Sequence, residues 1–240
     1  MRNFLNVATA ALVLLFCNTG YSQDTLGFKR TNVSTYLLPS TLIISGLILN
    51  KDKVKNDVRN WVRDRHSIPN TGIDDMLQHS PMVMMYLGDL VGERPVDEVM
   101  RQTRHLLVSQ AMTLGAMLIL KESTDVLRPN GGSVSFPSGH TAYSFAGATV
   151  FYHAFKKESK WLAYMAYVPA TITGVYRILK DKHWVSDVVF GAGLGLLSSQ
   201  LSYHLNIWNS ATVKGKKKDK LNFSIGMASN SYGIGAYLSF

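Results

Sequence analysis

A short turn between Ser133 and Tyr143 constrains the fold of this chain more than any other stretch. The sequence there reads SVSFPSGHTAY, with proline, serine, glycine and histidine in succession at residues 137–140. Such a run is typical of a tight turn, because glycine adopts backbone conformations that other residues avoid, and proline and serine favour turn positions. The apolar run from Ala142 predicts that this turn opens a helix. Unpaired N–H groups at a helix N-terminus bind anions, phosphate above all.

Charged residues on both sides of the turn supply the rest of an anion site. Upstream, Lys121 is followed by Arg128, and downstream, Arg177 is followed by His183 and Asp187. A phosphoryl transition state needs positive charge at its equatorial oxygens, a nucleophile in line and an acid for the leaving oxygen. These needs are met by three cations, by one histidine in the turn and one in the downstream stretch, and by one carboxylate.

In order and spacing these residues resemble the three motifs of the type 2 phosphatidic acid phosphatase and vanadium haloperoxidase superfamily. The motifs are Lys-x6-Arg-Pro at residues 121–129, Pro-Ser-Gly-His at 137–140 and Arg-x5-His-x3-Asp at 177–187. The resemblance covers residues 75–207 and implies a helical fold and a phosphatase activity. One departure is Tyr176, which stands where the family usually has a serine and removes one hydroxyl from the phosphate site.

The resemblance and the side-chain chemistry together assign catalytic roles to three residues. His183 is the predicted nucleophile, which forms a phosphohistidine and so divides one difficult displacement into two. Asp187 lies four residues further on and is predicted to bind the other ring nitrogen of His183, which fixes its tautomer. His140 is the predicted general acid, which protonates the leaving alkoxide.

Five residues are predicted to bind the phosphoryl oxygens. They are cations, a hydroxyl and a backbone N–H in the motif turn: Lys121, Arg128, Ser138, Gly139 and Arg177. Arginine offers bidentate geometry to phosphate, and lysine offers a point charge. No cluster of cysteine, histidine and carboxylate residues has the spacing of a metal site, so neither a metal nor any other cofactor is expected.

The charge of the chain points to a membrane partner. The formal net charge is +9, and nucleic acid is the usual partner of so basic a chain. Here, however, the lysines and arginines lie in short runs between apolar segments, a pattern that fits membrane topology. We therefore expect a phosphorylated lipid substrate and a membrane as partners, and no nucleic acid. The sequence leaves the oligomeric state open.

The chain divides into four predicted segments. Residues 1–22 are typical of a secretory signal peptide, and an uncleaved first membrane helix is the alternative. Residues 30–207 form the predicted phosphatase domain, an all-α, membrane-embedded helical bundle. Residues 208–220 form a basic linker. Residues 221–240 alternate with period two, which predicts a short C-terminal β-hairpin.

Three basic stretches predict the orientation of the bundle. Residues 51–65, 156–160 and 214–220 are rich in lysine and arginine and are cytoplasmic by the positive-inside rule. The loops that carry the motifs then lie on the opposite side, so the site of this integral membrane protein of the bacterial cell envelope faces the periplasm. The predicted signal peptide agrees with this orientation. Counted in this way, the segment Met76–Gly92 does not fully cross the membrane.

The leading prediction is a metal-independent phosphatase that hydrolyses a phosphate monoester or diphosphate on a membrane lipid. Phosphatidate, phosphatidylglycerol phosphate, undecaprenyl diphosphate and lipid A present the same group, so the sequence leaves the lipid open. The alternative is a soluble periplasmic non-specific acid phosphatase of the same superfamily, which a mean hydropathy of +0.04 favours. A vanadium haloperoxidase is disfavoured because nothing supplies a halide site. The intact residue set argues against a non-catalytic lipid-binding protein.

Overall fold

The computed structural model describes residues 34–64 and 72–205, together with the backbone of 220–228 and 231–239. The predicted signal peptide and, apart from Lys220, the predicted basic linker lie outside these residues. The described part is mostly helical, as the sequence predicted. Its helices in chain order are α1 (Ser34–Leu49), α2 (Asp52–Arg63), α3 (Ile73–Leu77), α4 (Ser80–Val91), α5 (Val96–Glu122), α6 (Gly139–Phe155), α7 (Lys160–Met165), α8 (Tyr167–Leu179) and α9 (Val185–Leu205).

Two strands follow the helices in the described part of the chain. They are β1 (Lys220–Ala228) and β2 (Ser231–Ser239), each of nine residues. The strands pair antiparallel, with Lys220 opposite Ser239 and Ala228 opposite Ser231. This backbone pairing lies where the period-two alternation of the sequence predicted a hairpin.

The last helix, α9, packs against α1, α5 and α6 and lies at the centre of the bundle. Glycine allows this close packing. A Cβ atom at Gly191 would lie 2.6 Å from the carbonyl oxygen of Ser138 in the loop that leads into α6. On the opposite face, a Cβ at Gly193 would lie 2.9 Å from the carbonyl oxygen of Pro39 in α1. The helices therefore meet at backbone distance, which small residues at a helix interface permit.

Two apolar clusters fill the bundle. One joins α1, α5, α6 and α9 around Ile43, Met117 and Phe190, and the Phe190 ring lies 4.6 Å from that of Phe136. The other joins α4 to α8 and is built on Met85 and Phe151, both at most 1% exposed. Removal of these side chains from water is the main favourable contribution to folding.

The bundle has two distinct ends because α1 and α9 run antiparallel. Gly46, late in α1, contacts Phe190, early in α9, while the rings of Tyr36 and His204 lie 6.1 Å apart at the opposite ends of these helices. We call the end where α5 stops and α6 and α9 start the motif end. The other end, which contains the loop between α6 and α7, is the remote end.

The segment of α3 and α4 runs from one end of the bundle to the other. Asp74 in α3 accepts a hydrogen bond from Arg177 at the motif end. Arg94, just after α4, donates to the carbonyl of Ala154 at the remote end, at 2.7 Å. A break at residues 78–79 divides this segment into two short helices, which together run the length of the bundle.

Residues 51–64, the described part of the basic stretch 51–65, lie at the motif end, so the prediction that this stretch lies on the opposite side from the motif loops was wrong. Its residues form α2, and Arg59 donates to both carboxylate oxygens of Asp181, at 2.8 and 2.5 Å. The ammonium of Lys55 lies 5.2 Å from the centre of the Trp184 ring. These cations therefore contact the loop between α8 and α9, which carries the third motif.

Charged residues occupy the first half of the longest helix. The helix α5 has 27 residues and carries Asp97 and Glu98 in its first turn, followed by Arg101. In the ranges that the structure describes, none of the helices has both the length and the apolar character that a membrane crossing requires.

The close contact between α1 and α9 predicts an intolerance of side chains at Gly193. Gly193→Ala is expected to lower the free energy of unfolding by roughly 1–3 kcal/mol, because the added methyl group meets backbone atoms that cannot move independently. Gly115→Ala in α5 is the matched control. A Cβ there meets nothing within 4 Å, so the change should be neutral or stabilising by about 0.5–1 kcal/mol. Chemical unfolding of both variants in one detergent measures the difference, and equal effects would contradict this account of the packing.

Candidate active site

The histidine and the aspartate of the third motif lie side by side at the start of α9. His183 Nδ1 lies 3.3 Å from Asp187 Oδ2, and the two residues are 3% and 0% exposed. The same carboxylate oxygen accepts the backbone N–H of Trp184 at 2.9 Å. An anionic side chain is stabilised in this first helical turn by the helix dipole. With Nδ1 directed at Asp187, Nε2 is the ring nitrogen directed away from it.

The loop before α9 returns His183 to the end of α8. Arg177 lies in the last turn of α8, and its carbonyl accepts the backbone N–H groups of Lys182 at 3.1 Å and His183 at 3.2 Å. The five residues between the arginine and the histidine therefore form a loop that these backbone hydrogen bonds close. Both motif side chains are buried at its base.

A serine that the sequence did not single out completes the support of the histidine. Ser135 Oγ donates a hydrogen bond to Asp187 and lies 3.3 Å from His183 Nδ1. Its backbone N–H is fixed by the carbonyl of Val126 at 2.7 Å. Ser135 belongs to the motif turn, but no spacing in the sequence links it to a residue 52 positions away.

Burial sets the protonation of His183. Desolvation lowers the pKa of His183, and the charges of Arg177 and Arg128 lower it further, while the contact with Asp187 acts in the opposite direction. The net shift of the pKa is downward. The neutral imidazole, which is the nucleophilic form, is therefore favoured near neutral pH.

The three motif cations form one charge cluster. Burial lowers the pKa of Lys121, the charges of Arg128 and Arg177 lower it further, and Asp187 raises it, so these four groups interact. The Nε atoms of Arg128 and Arg177 are buried and have no hydrogen-bond partner among the described residues. A buried N–H without a hydrogen-bond acceptor lowers the stability of the protein. An anion that accepts hydrogen bonds from these groups would therefore be bound favourably.

The motif turn opens α6, as the sequence predicted. Ser138 is the N-cap residue, and the helix begins at Gly139. The Ser138 hydroxyl lies 3.0 Å from that of Thr141, and its backbone N–H donates to the Asp187 carbonyl at 3.1 Å. This backbone bond fixes the second motif against the third. A Cβ at Gly139 would lie 3.2 Å from Met117, so the position has little room for a side chain.

The histidine of the second motif has a carboxylate partner that the sequence analysis missed. His140 Nε2 lies 2.7 Å from Asp75 Oδ1, and the same oxygen lies 3.8 Å from Arg177 Nη1. The His140 side chain is 27% exposed, far more than that of His183. Burial lowers the pKa of His140 and Arg177 lowers it further, whereas Asp75 raises it; the net direction is downward.

A second missed carboxylate, Asp74, neutralises two cations at the motif end. It is 0% exposed, accepts Arg177 Nη1 at 2.7 Å and also accepts a bond from Lys180. Burial alone would raise the pKa of Asp74, but Lys180 and Arg177 bring it to about 2. The Asp74 side chain is therefore ionised near neutral pH. The only hint in the sequence was the adjacent Asp-Asp pair in α3, which belongs to no motif.

The structure brings together all eight residues that the sequence selected. These are Lys121, Arg128, Ser138, Gly139, His140, Arg177, His183 and Asp187. It adds Asp74, Asp75 and Ser135 through direct contacts with them. Among the described residues no group of three or more histidine, cysteine or carboxylate side chains could hold a metal ion.

An apolar groove adjoins this site between α2 and α8. It encloses about 370 Å³ and is lined only by apolar side chains: Val58, Trp61, Val62, Val175, Ile178, Leu179 and Val185. Four of these residues also line a narrow cleft that contains His183 together with Lys55 and Arg59. The apolar groove and the cleft that contains His183 therefore share one wall.

Comparison with known proteins agrees with the motifs. Residues 119–211 match the family model of the PAP2 superfamily, which confirms the resemblance read from the sequence. A curated relative, the lipid A 1-phosphatase of Porphyromonas gingivalis, is 41% identical over 106 residues, which are 42% of this chain and 24% of that protein. The match therefore spans about a quarter of the length of that relative.

Two solved structures are similar to the chain. One is the transmembrane PAP2 type phosphatidylglycerolphosphate phosphatase from Bacillus subtilis, with 21% identity, a TM-score of 0.50 and coverage of 69% of this chain and 94% of that one. The other is Aquifex aeolicus LpxE, with 21% identity, a TM-score of 0.44 and coverage of 61% and 93%. The first likeness establishes the helical fold. The match to the PAP2 superfamily model covers the segment that holds the three motifs.

Proposed function

We propose that this chain is a phosphatase that removes a phosphoryl group from a membrane lipid. The observation that carries the proposal is the buried His183, held by Asp187 on one ring nitrogen and surrounded by Lys121, Arg128 and Arg177. Three fixed cations supply the positive charge that the equatorial oxygens of a phosphoryl group need. The reaction requires no further cofactor on this assignment.

The proposed reaction has two displacements. In the first, His183 Nε2 forms a bond to phosphorus while the bond from phosphorus to the ester oxygen breaks. His140 gives its proton to the leaving alkoxide, and Asp187 stabilises the positive charge on the phosphorylated imidazole. In the second, His140 takes a proton from water as the water oxygen attacks phosphorus. The bond to Nε2 breaks, and inorganic phosphate leaves.

The apolar groove supports a lipid as the substrate. It shares four lining residues with the cleft of His183, and its volume of about 370 Å³ can hold part of an acyl chain, whereas a soluble phosphate ester without a chain has no group to place there. Large apolar side chains are also exposed on the outer faces of the bundle, including Leu38 at 61% and Leu107 at 64%. Such surfaces favour contact with a bilayer. The similarity to a lipid A 1-phosphatase supports the same class of substrate, a phosphorylated membrane lipid.

Removal of the nucleophile tests the chemistry. His183→Ala should reduce phosphate release to background because the nucleophile is lost, while the protein stays folded because Asp187 keeps its bonds to Ser135 and to the Trp184 N–H. In the wild type, rapid acid-free quenching with radiolabelled substrate should trap a phosphoryl group on His183. His105→Ala, at another buried histidine, is the control and should keep most of the activity. A trapped phosphoryl group on any other residue would exclude His183 as the nucleophile.

Obstruction of the groove tests the lipid assignment. Val175→Trp places a large side chain in the groove, so kcat/KM for a long-chain phosphatidate should fall by roughly tenfold or more, since one excluded apolar contact is worth about 1–3 kcal/mol. Activity on p-nitrophenyl phosphate should change little, because this substrate has no chain to place there.

Val168→Trp is the matched control for the groove. Val168 lies two turns earlier on α8, is 48% exposed and does not line the groove. It should leave both activities unchanged. Equal losses of both activities in Val175→Trp would instead indicate a general disturbance of α8 and would contradict a lipid-binding role.

We further propose that the motif end faces the periplasm of a bacterial envelope. The basic loop 156–160 lies at the remote end and is short, which is the setting in which the positive-inside rule applies. Two of the cations of α2 have partners at the catalytic loop, since Arg59 is paired with Asp181 and Lys55 lies over Trp184. We therefore give these two less weight as indicators of topology.

Cysteine labelling decides the orientation. In a Cys17→Ser background, a cysteine at exposed Ser133 should react with an impermeant maleimide in spheroplasts, and one at exposed Lys157 should react only after lysis. The two positions lie at opposite ends of the bundle, so each is a control for the other. The reverse pattern would place the site in the cytoplasm.

A further inference from the structure

We propose that Asp75 determines which leaving groups this site accepts. It favours phosphate monoesters, whose leaving group becomes a neutral alcohol, over diphosphates, whose leaving group is itself a phosphate anion. The inference rests on the proposed function and narrows the class of lipid on which it acts.

The position of Asp75 is fixed by its neighbour. Asp74 is bound to Arg177 and Lys180 and attaches the five-residue helix α3 to the motif end. Asp75 therefore presents its carboxylate at the mouth of the site, where one oxygen lies 2.7 Å from His140 Nε2 and 3.8 Å from Arg177 Nη1. Its side chain is 57% exposed, so the charge lies on the side from which a substrate approaches.

The two adjacent carboxylates differ in how far they are neutralised. Asp74 is enclosed by two cations, so its negative charge is cancelled locally. Asp75 has the neutral or protonated His140 as its close partner and only a more distant contact with Arg177. Of the two, Asp75 is therefore the carboxylate whose charge acts on a group bound beside His140.

That charge affects the two leaving groups in opposite ways. An alkoxide takes its proton from His140 as the bond from phosphorus to oxygen breaks, so it departs as an uncharged alcohol. A diphosphate substrate releases a phosphate group that leaves with its negative charge, and Asp75 repels it. The same carboxylate stabilises protonated His140, which an alkoxide needs and a phosphate leaving group does not. Both effects favour the monoester.

Farnesyl phosphate and farnesyl diphosphate are suitable probes, because they share one tail and differ in the leaving group. Initial rates of inorganic phosphate release in detergent micelles give kcat/KM for each, and the ratio of the two values is the readout. The wild type should prefer the monophosphate. Asp75→Asn should shift the ratio towards the diphosphate by roughly tenfold or more, since one neighbouring charge shifts a pKa by about one unit or more.

Two further variants make the test specific. Asp75→Glu keeps the charge and should keep a ratio close to that of the wild type. Asp97→Asn removes an exposed carboxylate at the far end of α5, roughly 36 Å along the helix from Lys121, and should leave the ratio unchanged. Because both substrates are measured on one preparation, the fraction of folded protein cancels from the ratio.

The possible outcomes distinguish a failure of this inference from a failure of the proposed phosphatase function. An unchanged ratio in Asp75→Asn, or an equal loss on both substrates, would overturn the role of Asp75 and leave the phosphatase intact. Phosphate release from neither probe, nor from phosphatidate, by the wild type would overturn the proposed function and this inference with it. A preference of the wild type for the diphosphate that Asp75→Asn does not increase would also overturn the inference.

Discussion

The pairing of buried cations with buried carboxylates is the interaction on which the whole motif end depends. The buried Arg177 shares one cluster with the half-buried Lys121 and Arg128, and like charges repel more strongly as water is excluded. Asp74 offsets Arg177 and Lys180, and Asp187 acts on Lys121 from the other side. A buried charge without its partner would cost several kcal/mol, so these carboxylates are what permit a dense cationic site inside the protein.

These pairs also explain why helices distant in sequence must meet at one end of the bundle. Asp74 lies on α3 and its partner Arg177 on α8, while Asp187 on α9 accepts Ser135 from the motif turn. The glycines of α9 let the backbone of α6 approach closely enough for the Ser138 N–H to reach the Asp187 carbonyl. Close packing and charge pairing therefore act at the same place, where the motif turn contacts the start of α9.

The sequence was sufficient to predict contacts between residues a few positions apart. It was insufficient to predict contacts between residues that are distant along the chain. The start of α6 at the motif turn and the contact of His183 with Asp187 follow from intervals of a few residues. Asp75 and Ser135 could not be found in this way, because their partners lie 65 and 52 positions away. The placement of residues 51–65 failed for the same reason. A charge count could not register that Arg59 has a partner in Asp181.

The two motif histidines show how one side-chain type takes two roles through its surroundings. His183 is 3% exposed, carries its carboxylate on Nδ1 and is surrounded by cations that favour the neutral ring, as a nucleophile requires. His140 lies nearer the surface and carries its carboxylate on Nε2, where Asp75 favours the protonated ring against the effect of burial and of Arg177. In the proposed reaction, His183 with Asp187 binds phosphorus, and His140 with Asp75 transfers the proton. In this scheme the leaving group takes its proton from His140, the more exposed of the two histidines.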